Sequence, residues 1–273
     1  MKKNNKKEII WLLKEKYLFA CNEAFVCDEK SWPKEIKMDI KRIEKGEPLD
    51  YVIGFIEFLG CKIDLSLKPL IPRTETEFWV ENAIKEIKAS GVKNTRCLDI
   101  FAGSGCIGIA VLKHIKDARV DFSEKQKKLL RQIRLNAEIN NINPKRYRII
   151  ESNVFKNING KYDYIFANPP YVAIERKDRV QGSVLRYEPR AAVFAGKSGL
   201  IYINRFLKEA KNHLNQKGKI FLEFDSMQKK EVIEILEKFE YSSYEILKDQ
   251  YGKWRYAIIG FFEQLKKEKA SGF

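Results

Sequence analysis

"CLDIFAGSGCIGIAVL", residues 97–112, runs from an apolar segment through a glycine-rich turn into a second apolar segment of helical character. The first segment, within "RCLDIF" (96–101), is short and apolar and reads as a buried strand. Gly103 and Gly105 admit backbone conformations that a Cβ forbids, and they let a ligand approach the main chain. The helix that follows points its N-terminus, with its unpaired N–H groups, at the same place. Gly103-Ser104-Gly105-Cys106-Ile107-Gly108 also satisfies the G-x-G-x-x-G spacing of dinucleotide-binding proteins, a match that says little by itself.

The same alternation continues along the chain. "ARVDF" (118–122), "RYRIIES" (146–152), "YDYIFA" (162–167) and "GKIFLEF" (218–224) are further buried-strand runs, with helical stretches over 106–116, 123–140 and 199–215. Strand alternating with helix predicts an α/β protein with a doubly wound, mostly parallel sheet. A helix over 226–239 and two more strands, "SYEIL" and "RYAIIGFF", complete a seven-stranded sheet, the last pair antiparallel. Upstream, residues 8–20 and 33–45 read as short amphipathic helices, and Gly46-Glu47-Pro48 ends the second. β-rich stretches from Tyr51 to Leu70, with Gly54 and Gly60 between them, predict a hairpin. "IPRTETEFWVENAIKEIKAS" (71–90) then opens a helix with Thr74 or Thr76 as its N-cap. The expected organisation is a small helical N-terminal domain over 1–48, a β-hairpin linker over 49–72 and the main domain over 73–273.

A chain of 273 residues, 44% of them apolar, is long enough for one sizeable α/β domain with a small appendage. The basic start carries an apolar run that Lys14, Glu15 and Lys16 interrupt, so it reads as an amphipathic helix and not as a signal peptide. No apolar run reaches spanning length, so neither a membrane partner nor a location outside the cytoplasm is expected. Cys21, Cys27, Cys61, Cys97 and Cys106 are odd in number and lack metal-type spacing, and only His114 and His213 stand beside them. Neither a disulfide framework nor a metal site is expected, which fits a reducing compartment. The net charge of +15 fits a polyanionic neighbour or simply a Lys-rich proteome. Residues 171–219 carry eleven Lys or Arg against four Asp or Glu, whereas residues 1–50 carry twelve against ten. A charge run is usually a solvated face. This one lies beside the candidate site, so contact with RNA or the ribosome is a second expectation.

Two further elements carry chemistry. Asp121 is read as ending the second strand of the sheet, 18 residues after Gly103. A carboxylate there accepts both hydroxyls of a ribose, which suits NAD and S-adenosylmethionine alike; its plainer role is a helix N-cap with Ser123. The fourth strand stops on Asn168-Pro169-Pro170-Tyr171. Tandem prolines donate no backbone hydrogen bonds, and a strand-ending turn explains them simply. In an open α/β sheet, however, ligands sit beyond the carboxyl ends of the strands, so this tetrapeptide and the glycine turn share one crevice. Methylating a planar amide or amine nitrogen needs the NH₂ group held, because its lone pair is delocalised. The Asn168 side-chain oxygen can accept one N–H and the Pro169 carbonyl the other, while Tyr171 offers an apolar wall. Transfer of a methyl from a sulfonium then rests on positioning, with no His or Cys required.

"LDIFAGSGC", "VDFS" and "YIFANPPY" together resemble the class I amino-methyltransferases. "GEPLDYVIG", "PLIPRTETE", "LRYEPRAAVFAGKSGL", "LEF" and "DQYGKWRYAI" narrow the resemblance, over residues 46–260, to the glutamine methyltransferases of peptide-chain release factors (the HemK/PrmC family). The Asn-Pro-Pro-Tyr run is shared with adenine methylases of DNA and RNA. "IPRTETE" with "EPRAAVFAGKSGL" is more specific, and Glu75-Thr76-Glu77 favours release factors over the sister enzymes of a ribosomal-protein glutamine, which stay an alternative. The resemblance implies a Rossmann-like methyltransferase fold that binds S-adenosylmethionine along Phe101, Ala102, Gly103, Ser104 and Gly105, with Asn168 also touching the cofactor. It further implies Asp121 on the ribose, Val154 near the adenine, and Asp99 supporting the methionine end. The substrate it implies is a class I release factor, with the glutamine of the Gly-Gly-Gln loop held by Asn168, Pro169, Pro170 and Tyr171. A monomer is expected. Phe101 stands where the family carries a small residue, Thr74 where proline is common and Asp225 where a glycine follows "LEF". Residues 1–45 are shorter than the helical domain that grips the release factor in the family.

Other classes account for less. An adenine methylase of RNA or DNA is the nearest alternative, and the basic segment counts for it. An NAD-dependent dehydrogenase would use the glycine turn but leaves Asn-Pro-Pro-Tyr without a task. A non-enzymatic ribosome-binding protein on a degenerate fold would not need Asn168-Tyr171, Gly103, Gly105 and Asp121 intact.

Overall fold

The computed structural model describes residues 5–18 and 32–260. Helices α1 (Asn5–Tyr17) and α2 (Lys34–Glu44) set Ile9, Leu12 and Leu13 against Ile36, Ile40 and Ile43, the spacing of a buried helical stripe. Gly46 and Pro48 follow α2 as expected, but the chain then forms a further helix, α3 (Leu49–Ile53), before any strand. Pro48 stands at its N-cap, where no N–H is needed, and Val52 and Ile53 complete the small core. Gly54, at φ +100°, ends α3 and turns the chain into the hairpin β1 (Phe55–Phe58) and β2 (Cys61–Asp64). The hairpin is thus shorter than the 51–70 expectation, and its buried Phe58, Cys61, Ile63 and Leu65 join the core of the main domain. Glu47 links the parts, accepting from Arg42 and from Lys68 Nζ (2.6 Å). Cys21 and Cys27 lie outside the described residues; Cys61, Cys97 and Cys106 are free thiols and buried.

Helix α4 (Thr74–Ser90) has Arg73 at its N-cap and no side-chain cap. Neither threonine expected there caps it: Thr74 is already helical, and Thr76 is buried with its hydroxyl bonded elsewhere. Strands β3 (Arg96–Ile100), β4 (Arg119–Glu124), β5 (Tyr147–Glu151), β6 (Tyr162–Ala167), β7 (Leu214–Glu223), β8 (Tyr244–Lys248) and β9 (Trp254–Gly260) form a seven-stranded sheet in the order β5-β4-β3-β6-β7-β9-β8. The first five pair in parallel, and β9 runs antiparallel between β7 and β8. Between strands lie α5 (Cys106–His114), α6 (Lys127–Ile139), α7 (Gly182–Tyr187), α8 (Arg190–Val193), α9 (Ile201–Ala210) and α10 (Lys229–Lys238).

Side chains alternate across the sheet. Cys97, Tyr164, Phe166 and Phe221 pack toward α4, α5 and α6, with Trp79, Ile109 and Ile133 among their partners. Leu98, Ile100, Ile165, Ile220 and Leu222 pack toward α9 and α10, on Phe206, Leu207, Val232 and Leu236. Both faces are covered, which is why the central runs are apolar throughout instead of alternating. The strand order reverses between β3 and β6, leaving a crevice beyond their carboxyl ends. At Gly108 a Cβ would lie 2.3 Å from the Phe122 ring, so the last glycine of the turn serves close packing of α5 on β4.

Candidate active site

β3 ends at Ile100, and Phe101 takes a left-handed φ of +64°, a costly conformation for a bulky residue. Its ring packs edge-on against Tyr202 and Phe206. The turn is closed by the Ala102 N–H donating to the Ser123 carbonyl (3.1 Å) and the Gly105 N–H to that of Ala102 (2.7 Å). Phe101, Ala102, Gly103 and Ser104 line a cleft, together with Val154, Asn168 and Pro170. Gly105 is not among its lining residues; at φ +80° it is the N-cap of α5. Asp99 lies beneath the turn, fully buried, with Oδ2 accepting the Gly108 N–H (2.9 Å) and Oδ1 unpartnered. Burial pushes its carboxyl up to about 8.

Glu124 lines the cleft, and Asp121, expected there, does not. β4 does not end at Asp121 but continues to Glu124, three residues on, and an odd separation along a strand sends two side chains to opposite faces. Glu124 lines the cleft; its Oε2 accepts the Gly103 N–H (3.0 Å) and its Oε1 the Gln126 N–H (2.8 Å). Asp121 is committed elsewhere, accepting from Arg148 Nε (2.8 Å) and from the Tyr162 hydroxyl (2.8 Å). Asn136 of α6 steadies the turn from below, donating Nδ2 to the Ser104 carbonyl (3.0 Å) while its Oδ1 accepts the Asp64 N–H (2.8 Å).

Asn168-Pro169-Pro170-Tyr171 leaves β6 at the crevice. Asn168 lines both the cleft and a second cavity whose walls include Pro169, Tyr171, Val172, Val184, Val193 and Glu223. Pro170 faces the cleft. Asn168 Nδ2 donates to the Thr76 hydroxyl oxygen (3.2 Å), and the Tyr171 hydroxyl donates to Glu223 Oε1 (3.1 Å). Burial raises the Tyr171 phenol and the Glu223 carboxyl above their ordinary values, the latter opposed by its donors Trp79 and Thr76 and by the charge of Arg255.

The strings quoted from the sequence meet around this tetrapeptide. Arg73 Nη2 pairs with the buried Glu188, which also accepts the Ile71 N–H (3.2 Å), so "IPR" and "YEPR" are joined directly. The Val172 N–H donates to Val193 (3.0 Å), and Gln228 Nε2 donates to the Tyr171 carbonyl (2.9 Å). A Cβ at Gly199 would stand 2.2 Å from that same carbonyl, which is why "GKSGL" needs its second glycine. Asp225 forms a capping box with Gln228 and so orients it. Sequence reasoning gave Glu124, Thr76 and Glu223 no chemical role. For Glu124 a signal existed, because the strand pattern "RVDFSE" does not stop at Asp121. Among the described residues no helix is long and apolar enough to cross a membrane, and no cluster of His, Cys, Asp or Glu could hold a metal ion.

The family described as "Methyltransferase small domain" matches residues 77–187. The release factor glutamine methyltransferase of Flavobacterium psychrophilum is 33% identical over 224 residues, covering 81% of this chain and 78% of that protein. Its namesake from Lactococcus lactis is 36% identical over 231 residues, 83% of each. Among solved structures, the Thermus thermophilus 16S rRNA N2 methyltransferase in complex with AdoMet and guanosine superposes with a TM-score of 0.55 at 18% identity, over 76% of this chain and 50% of that one. That likeness is one of fold. The identity to the curated relatives holds over most of both chains, and the chain belongs to the release factor glutamine methyltransferase family.

Proposed function

We propose that this protein transfers a methyl group from S-adenosylmethionine to the side-chain amide nitrogen of the glutamine in the Gly-Gly-Gln loop of a class I release factor. The observation that carries this reading is Asn168, which stands in the wall between two cavities with its amide nitrogen already bonded to Thr76. Its Oδ1 is then left for an incoming N–H.

The cleft residues fit the cofactor. Each Glu124 oxygen accepts one backbone N–H and keeps a lone pair for a ribose hydroxyl. Val154, Leu129 and Ile107 supply apolar walls, and the Phe101–Ser104 backbone lies open to the ligand. When bound, the cofactor supplies an electrophilic methyl on a sulfonium. The chain supplies placement: Asn168 Oδ1 and the Pro169 carbonyl accept the two amide N–H groups, while Tyr171, tied to Glu223, walls the acceptor cavity. Holding the amide against the methyl in this way contributes through orientation. A cytoplasmic location follows from the substrate.

The test is mass spectrometry of a release factor incubated with enzyme and cofactor. The wild type adds one methyl to the glutamine. Asn168→Ala leaves cofactor affinity nearly intact and slows transfer by two or more orders of magnitude, roughly 3 kcal/mol. Methylated adenine in RNA beside an untouched release factor would overturn the reading.

A further inference from the structure

Glu223, at the end of β7, is buried, and three side chains donate to it. Trp79 Nε1 and the Thr76 hydroxyl both reach Oε2 at 2.7 Å, and the Tyr171 hydroxyl reaches Oε1 at 3.1 Å. The function proposed above employs Asn168, its bond to Thr76, and Tyr171, but gives no reason why the Asn168 amide stands that way round and no task to Trp79.

Chemistry decides the direction of each bond. An indole N–H only donates, so the oxygen facing Trp79 accepts. Thr76 has one proton, and it goes to the same oxygen; toward Asn168 the threonine has only lone pairs left. The Asn168 amide, 3.2 Å away, must therefore turn Nδ2 to Thr76 and Oδ1 to the substrate. Turned the other way round, it would set two oxygens against each other and offer N–H to a substrate N–H. We infer that Glu223, acting through the Thr76 hydroxyl, is a positioning residue that fixes which way round the Asn168 amide stands, and so selects an acceptor group that donates N–H. This rests on the proposed function and adds to it a reason for choosing a primary amide over a carboxylate or ester of the same shape.

A purely structural role would hold α4 to β7 without regard to bond polarity, and conservative variants separate the two. Thr76→Val keeps the volume and loses the hydroxyl. It lowers kcat on release factor at least tenfold, while cofactor affinity stays within twofold and the melting temperature stays near wild type. Thr76→Ser restores the rate. Glu223→Leu shows the same loss, and Glu223→Gln, whose amide oxygen still accepts from Trp79 and Thr76, recovers most of it. The double variant T76V/E223L is no slower than the slower single, because both break one relay. A T76V enzyme within twofold of wild type overturns the inference, as does E223Q as slow as E223L at a native melting temperature. Calorimetry with a Gly-Gly-Gln tripeptide runs in parallel: T76V weakens its binding and T76S does not, and equal affinities overturn the inference. A wild type that binds the peptide in this pattern yet methylates no release factor leaves the positioning intact and overturns the function instead.

Discussion

Glu124 and Asp121 stand three residues apart on one strand, and the pleat gives them different surroundings. Asp121 compensates the Arg148 guanidinium and the Tyr162 hydroxyl within the fold; Glu124 reaches the glycine turn and the cleft. Charge-assisted hydrogen bonds contribute about 1.5–3 kcal/mol each. Glu124→Ala, which gives up the ribose contacts proposed for this acid and loosens Gly103 as well, is expected to weaken S-adenosylmethionine binding by at least an order of magnitude in calorimetry. Asp121→Asn is expected to leave that affinity within about threefold and to lower the melting temperature, since Arg148 loses its ionic partner. The reverse pattern would return the ribose role to Asp121.

At the scale of elements, the joint between β3 and α5 is set by Asp99. Its carboxyl is lifted from 3.8 to about 8, chiefly by burial and further by the negative charge of Glu124, against the lowering effect of the Gly108 N–H. Between those two values the folded protein holds a proton that the unfolded chain releases. The contribution of Asp99 to stability is therefore full below about pH 4, declines as pH rises toward about 8 and levels off above. The slope reaches about 1.4 kcal/mol per pH unit at most. Urea unfolding of the wild type and of Asp99→Asn across this window checks it: the difference between the two changes with pH. A constant difference would mean that the acid is ionised in the fold. Another joint went unread in the sequence. Gln132 and Asn136 of α6 and Asn140 at its C-cap recur at i, i+4 and i+8, and their amides serve Leu67, Asp64 and Lys62 along the edge of the hairpin. In sequence they look like an ordinary polar helix face.

For the whole molecule, the excess of positive charge in residues 171–219 is partly exposed, at Lys177, Arg179, Arg186 and Arg190, in the segment whose Val180, Val184 and Ala192 line the second cavity. The same segment touches the N-terminal helices, because Arg186 Nη1 and the Tyr187 hydroxyl both donate to the Lys45 carbonyl (3.2 and 2.9 Å). If this face meets RNA or the ribosome, binding falls steeply as salt rises, and reversing Lys177 and Arg179 to Glu weakens it further. Sedimentation with ribosomes over a salt series measures both. Binding that ignores salt, or none, would leave the charge a solubility device only.

By itself the sequence determined the layered fold, since strand-length apolar runs alternating with helical stretches have few ways to bury both sheet faces. It also determined which segments meet, because a glycine turn and Asn-Pro-Pro-Tyr at strand ends must face one crevice, and both line the cleft. Tertiary structure decided the rest. Leu49–Ile53 has the residues of a strand but forms a helix, because Val52 and Ile53 are used by the N-terminal core. Which acid faces the cleft depended on where β4 stops, and a shift of one residue changes the face. The environment of Asn168 depended on Glu223, Thr76 and Trp79, which local patterning cannot bring together: Thr76 and Glu223 are 147 residues apart and meet only when α4 packs on β7.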